Sequence, residues 1–131
     1  MTSRATGTFD VTMNPQPPYD TADGVQLGRV SITKVFRGSL DATSTVEMLS
    51  AMSSVKGSAG YVAIERVTGT LDGRPGSFVL QHSGTMTRGV PSLSVTVVPD
   101  SGTGGLAGLA GTLAIDIVER EHRYTFEYTL G

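Results

Sequence analysis

The chain has 131 residues, no cysteine, two histidines and a formal net charge of −2. A domain of that size can bury a core without disulfide staples, and a chain whose only imidazoles are His82 and His122 is poorly equipped to build a zinc or iron site, so no metal is expected. Its basic residues are scattered and only 6% of the chain is aromatic, which argues against nucleic acid as a partner.

The first ten residues, MTSRATGTFD, contain no apolar run, and no later stretch has the length of a transmembrane helix. The expectation is a cytoplasmic protein with no membrane partner, folded as one domain over residues 1–131.

From Arg4 to Met13 the chain alternates, with Phe9, Val11 and Met13 on one face and Thr8, Asp10 and Thr12 on the other. Period two is the mark of a strand with one buried face. Residues 14–26, NPQPPYDTADGVQ, carry three prolines and read as a loop, either a crossover or a lid tipped by Tyr19. A second strand spans Leu27 to Phe36, with Val30, Ile32, Lys34 and Phe36 in phase, and Gly38-Ser39 turns into a third from Leu40 to about Leu49. The facing of that third strand is ambiguous.

Tyr61–Leu71 and Arg74–Met86 form a hairpin about Asp72-Gly73, a pair suited to a two-residue turn that needs positive φ twice. Pairing Leu71 with Arg74 sets Val67 opposite Phe78, Glu65 opposite Leu80, Ala63 opposite His82 and Tyr61 opposite Gly84; a four-residue loop would instead set Glu65 opposite His82, with the same face assignment. A further strand, Leu93–Val98, stops at Pro99. After a loop from Asp100 to Gly111, with at most one helical turn, a last hairpin is expected to turn at Arg120-Glu121, matching Ile117 with Tyr124, Ile115 with Phe126 and Leu113 with Tyr128. The fold class is therefore all-β, a single antiparallel barrel of about eight strands.

The strings GSAGYVAIERVTGTLDGRPGSFVLQHSGTM (residues 57–86), SLSVTVVPDSGTGGLAGLAGTLAI (92–115) and HRYTFEYTL (122–130) resemble the bacterial family DUF3224. That resemblance implies a barrel similar to allene oxide cyclase, distantly similar to dirigent proteins, with a central cavity. It also implies a small hydrophobic molecule as partner and a homo-oligomer, dimer or trimer.

On the residues themselves, the face of the Asp72-Gly73 hairpin that carries Tyr61, Phe78 and Leu80 also carries Glu65 and His82. Two titratable groups among apolar neighbours must be paired or used. Glu65 and His82 are the candidate catalytic acid–base pair, with Tyr61, Phe78, Leu80 and Lys34 as candidate ligand contacts. Lys34 is expected to point inward or to cap a barrel end. The glycine-rich SGTGGLAGLAG is turn chemistry, since no βαβ unit surrounds it. Val62, Ile64, Val79 and Val98 fall on the outer wall, which suggests association. The functional expectation is a small hydrophobic ligand-binding barrel, either a cofactor-independent isomerase or cyclase or a non-catalytic binding or scaffold barrel.

Overall fold

The computed structural model describes residues 2–131. Eight strands follow one another up and down: β1 (Ser3–Pro15), β2 (Gln26–Gly38), β3 (Leu40–Met52), β4 (Ala59–Leu71), β5 (Arg74–Thr87), β6 (Val90–Val97), β7 (Leu109–Val118) and β8 (Glu121–Leu130). Each pairs antiparallel with the next, and β8 pairs with β1 to close the barrel. Two short 3₁₀ turns, at Ala22–Gly24 and Gly104–Leu106, are the helical content, one more than expected. Among the described residues no helix is long and apolar enough to cross a membrane.

The strands outrun the sequence reading at several ends. β1 reaches Pro15 and β2 starts at Gln26, so the proline-rich loop is shorter than expected, and it is pinned where Asp20 bridges to Leu27. Tyr19 is exposed and borders a shallow groove with Leu27, Leu49 and Val62, three side chains of the outer face.

The Asp72-Gly73 hairpin takes the tighter of the two registers, from Leu71↔Arg74 to Tyr61↔Gly84, and not the one with a four-residue loop. Both turn residues have positive φ, 49° and 81°, as a two-residue turn between right-twisted strands requires. The last hairpin differs. Its turn is Glu119-Arg120, φ 51° and 69°, and the true pairs are Ile117↔His122, Ile115↔Tyr124 and Leu113↔Phe126. The expected register is thus displaced by two residues. A slip of two keeps every side chain on its own face, so alternation cannot detect it, and neither Glu119 nor Arg120 advertises a turn.

Inward-facing side chains divide the interior into two halves. One half is sealed by Phe9, Phe36, Phe78, Phe126, Tyr124, Leu40, Leu71 and Leu80, all buried. Phe78 stacks on Phe126 with ring centroids 5.7 Å apart, and Phe36 meets Tyr124 edge-on at 5.8 Å. The other half holds a smaller cluster of Ile32, Val46 and Ala63, flanked by half-buried Val11, Val30, Met48 and Tyr61. Beyond it Met13, Met52 and Met86 are exposed although their strand parity points them inward. That end of the barrel is open.

Candidate functional site

Four polar side chains meet inside the wall where the sealed and open halves join. They come from four consecutive strands. Lys34 on β2 lies directly opposite Ser44 on β3. Ser44 is diagonal to Glu65 on β4, and Glu65 is diagonal to His82 on β5. Diagonal neighbours on one face of a sheet are within reach of long side chains.

Glu65 is the centre. It is fully buried, at 0% exposure. Its Oε1 accepts from Lys34 Nζ at 3.1 Å and from His82 Nε2 at 2.7 Å, and its Oε2 accepts from Ser44 Oγ at 2.6 Å. The Lys34 ammonium also sits 5.0 Å from the centroid of the Phe9 ring and 5.9 Å from that of Phe36, a favourable placement over aromatic faces.

Burial by itself would raise the Glu65 pKa. The His82 hydrogen bond, the Lys34 charge and the Ser44 hydrogen bond outweigh it, so the carboxyl is held below its ordinary range. At neutral pH Glu65 is a carboxylate and can only accept. The proton of the 2.7 Å bond therefore resides on His82 Nε2, and in the Nε2–H tautomer Nδ1 carries the lone pair. Nδ1 has no protein partner, and no sealed-off side-chain nitrogen or oxygen lacks one among the described residues. Nδ1 therefore reaches the accessible interior.

Tyr61 stands beside this imidazole, ring centroids 6.4 Å apart. Its ring lies over the bare backbone of Gly84, where a Cβ would fall 2.5 Å from the ring. Burial first and the Glu65 charge second push the phenol pKa up, so it remains a neutral hydrogen-bond donor.

Of the candidates read from sequence, Glu65, His82, Tyr61 and Lys34 come together. Lys34 points inward rather than capping the rim, and is buried against Glu65. Phe78 and Leu80 lie in the sealed half, packed below the cluster rather than along the open interior. Ser44 escapes sequence reasoning. It carries a signal, being in phase with Leu40, Ala42, Val46 and Met48, but its strand alternates Ser and Thr with apolar residues on both parities. The rest of the lining is soft: every methionine after Met1 (Met13, Met48, Met52, Met86) belongs to the inward face of the open half. Methionine adapts its shape to what it meets. No cluster of three or more His, Asp or Glu side chains capable of holding a metal ion occurs among the described residues.

The family model described as "Protein of unknown function (DUF3224)" matches residues 5–128. Among solved structures, the chain is similar to a crystal structure of a protein of unknown function from the DUF3224 family of Shewanella oneidensis MR-1. The two are 52% identical, with a TM-score of 0.95, over 100% of this chain and 99% of the other. No curated protein matches.

Proposed function

This chain belongs to the DUF3224 family, whose function is unknown, and we propose that its barrel binds a small hydrophobic molecule and is equipped to move a proton on it without a cofactor. The observation that carries this reading is His82, 4% exposed, with one nitrogen fixed on a buried carboxylate and the other turned to the interior. An imidazole oriented in this way is a general base with its tautomer set by its partner. Lys34 and Ser44 keep Glu65 ionised, so Glu65 is a positioning residue and His82 the group that would meet the ligand. Tyr61, a neutral phenol beside it, would donate a hydrogen bond to a ligand oxygen. An isomerisation fits these parts: His82 takes a proton from one atom of the ligand and returns it at another, and no oxidant or metal is required.

Native mass spectrometry of the protein purified from its own host tests the reading. A retained small mass in the wild type, lost from His82→Phe with the fold intact, is the expected result. A bare polypeptide that also shows no His82 perturbation on incubation with a host lipid and metabolite extract would contradict it, and would leave Lys34, Ser44, Glu65 and His82 as a structural network alone.

We also propose that the barrel self-associates through its outer wall. Val62 and Ile64 are exposed there, while Val79 and Val98 are partly covered. The 98–103 segment bonds back to β5 beside them through Ser101 and Thr103. With Leu49, Val62 and Ile64 line a groove of about 500 Å³ bordered by the Arg29–Glu47 ion pair. A patch that carries one charge of each sign can match its own copy across a two-fold axis. Sedimentation should give a dimer that Ile64→Glu dissociates, and a wild-type monomer at high micromolar concentration would refute it.

A further inference from the structure

The barrel wall is not uniformly closed. β6 and β7 are matched at Thr96↔Thr112 alone, whereas every other neighbouring pair runs in continuous register. Counted on from Thr96↔Thr112, the inward rows across this junction are Val95 with Leu113, Leu93 with Ile115, and Pro91 with Ile117. Their exposure climbs row by row. Val95 and Leu113 are 3% and 6% exposed, Leu93 is 43% and Ile117 is 62%. Strand parity turns all of these side chains toward the interior, and they run from the sealed half up to the open rim beside Met86 along the stretch of wall that has no ladder. The unpaired stretch of wall from Thr96 and Thr112 to the rim is a candidate cleft with its apex at that pair.

The apex lies at the level of the polar cluster. Val95 is the direct cross-strand partner of His82, and Leu93 is the partner of Gly84, over which the Tyr61 ring lies. A molecule seated in the cleft would have Leu93, Ile115, Ile117 and Met86 about its body and Tyr61 and His82 at its inner end. Those two groups read opposite hydrogen-bonding characters. His82 Nδ1 offers a lone pair and the Tyr61 hydroxyl offers a proton. Neither has a protein partner among the described residues. A carboxylate would face the Nδ1 lone pair and the Glu65 charge behind it, and is disfavoured. A neutral hydroxyl, phenol or enol can donate to Nδ1 and accept from Tyr61 with the same oxygen.

From this arrangement, and resting on the binding reading above, we infer that the β6–β7 cleft is the ligand site and that its ligand is a flat or chain-like apolar molecule with one uncharged hydroxyl, phenol or enol group, which meets His82 and Tyr61.

Reactivity of His82 toward diethyl pyrocarbonate tests this even while the natural ligand is unidentified, with His122 on the same chain as the internal reference. Peptide mass spectrometry separates the two sites. Leu93→Trp fills the cleft at an already exposed position, and Met52→Trp adds the same bulk at the far rim. Leu93→Trp should slow His82 modification at least tenfold, while Met52→Trp and the His122 rate stay unchanged. In the wild type, 2-naphthol should protect His82 and 2-methoxynaphthalene, which lacks the donor, should not.

If Met52→Trp slows His82 and Leu93→Trp does not, the interior is reached over the rim: the cleft is overturned and the binding reading stands. Equal protection by both naphthalenes, or by neither, overturns the ligand class. A His82 that is unreactive in every variant overturns the cleft and the binding reading together.

Discussion

Glu65 is the residue whose removal should reveal most about the cluster. Glu65→Gln leaves the Lys34 ammonium in a buried site with no counter-charge, and breaking a buried pair from one side costs about 3–5 kcal/mol. Adding Lys34→Met removes the orphaned charge, so the double variant should recover a large part of that loss in a urea titration. Additive losses would mean the two groups do not interact. The pH dependence has a definite sign. The folded-state pKa of Glu65 lies below its unfolded value, so its contribution to stability is complete above the ordinary carboxylate range and disappears as pH falls through the lower folded value. Glu65→Gln should therefore flatten the acid limb of the stability profile, and an unchanged limb would place the acid sensitivity elsewhere. Tyr124 gives a second test in the sealed half. Its hydroxyl donates to the Arg37 carbonyl at 2.9 Å and accepts from the Leu40 N–H at 2.9 Å, tying β8 to the β2–β3 turn. Tyr124→Phe leaves the buried Leu40 N–H without that partner and should cost about 1–3 kcal/mol. An unchanged urea midpoint would contradict this role.

At the scale of strands and turns, legibility follows the chemistry of each turn. Asp72-Gly73 names its own geometry, and with it comes the register that sets Glu65 and His82 diagonal on one face. Glu119-Arg120 adopts the same positive φ pair with residues that have no preference for it, so sequence places the turn one residue late and the register slips by two. Replacing the pair by Asn-Gly should relieve that backbone and stabilise the protein by about 1 kcal/mol, read as a rise in the urea midpoint. No rise would mean the flanking pairs, not the turn, set the geometry. Lys34 is in phase with Ile32 and Phe36, yet its partner lies two strands away, and periodicity carries no information about which inward charge meets which. The missing ladder between β6 and β7 is invisible in sequence for a related reason: the alternation in Leu93–Val97 and Leu113–Ile117 reports facing, not whether the neighbouring edge is paired.

For the whole molecule, the two halves should differ in stability. Backbone amides of the sealed half, around Phe36, Phe78 and Phe126, should exchange only on global unfolding, while those of β6 and β7 on either side of the cleft should exchange through local opening. Uniform protection would contradict an open cleft. The division gives the barrel its functional logic: one end supplies the packing, and the other leaves a carboxylate-held imidazole beside a deformable apolar lining. The most direct test of that claim is a long-range ¹H–¹⁵N spectrum of the histidines, which distinguishes the two ring nitrogens. For His82 a downfield, hydrogen-bonded proton on Nε2 and a bare Nδ1 are predicted. A proton on Nδ1, or an Nε2 proton in rapid exchange with water, would contradict the account.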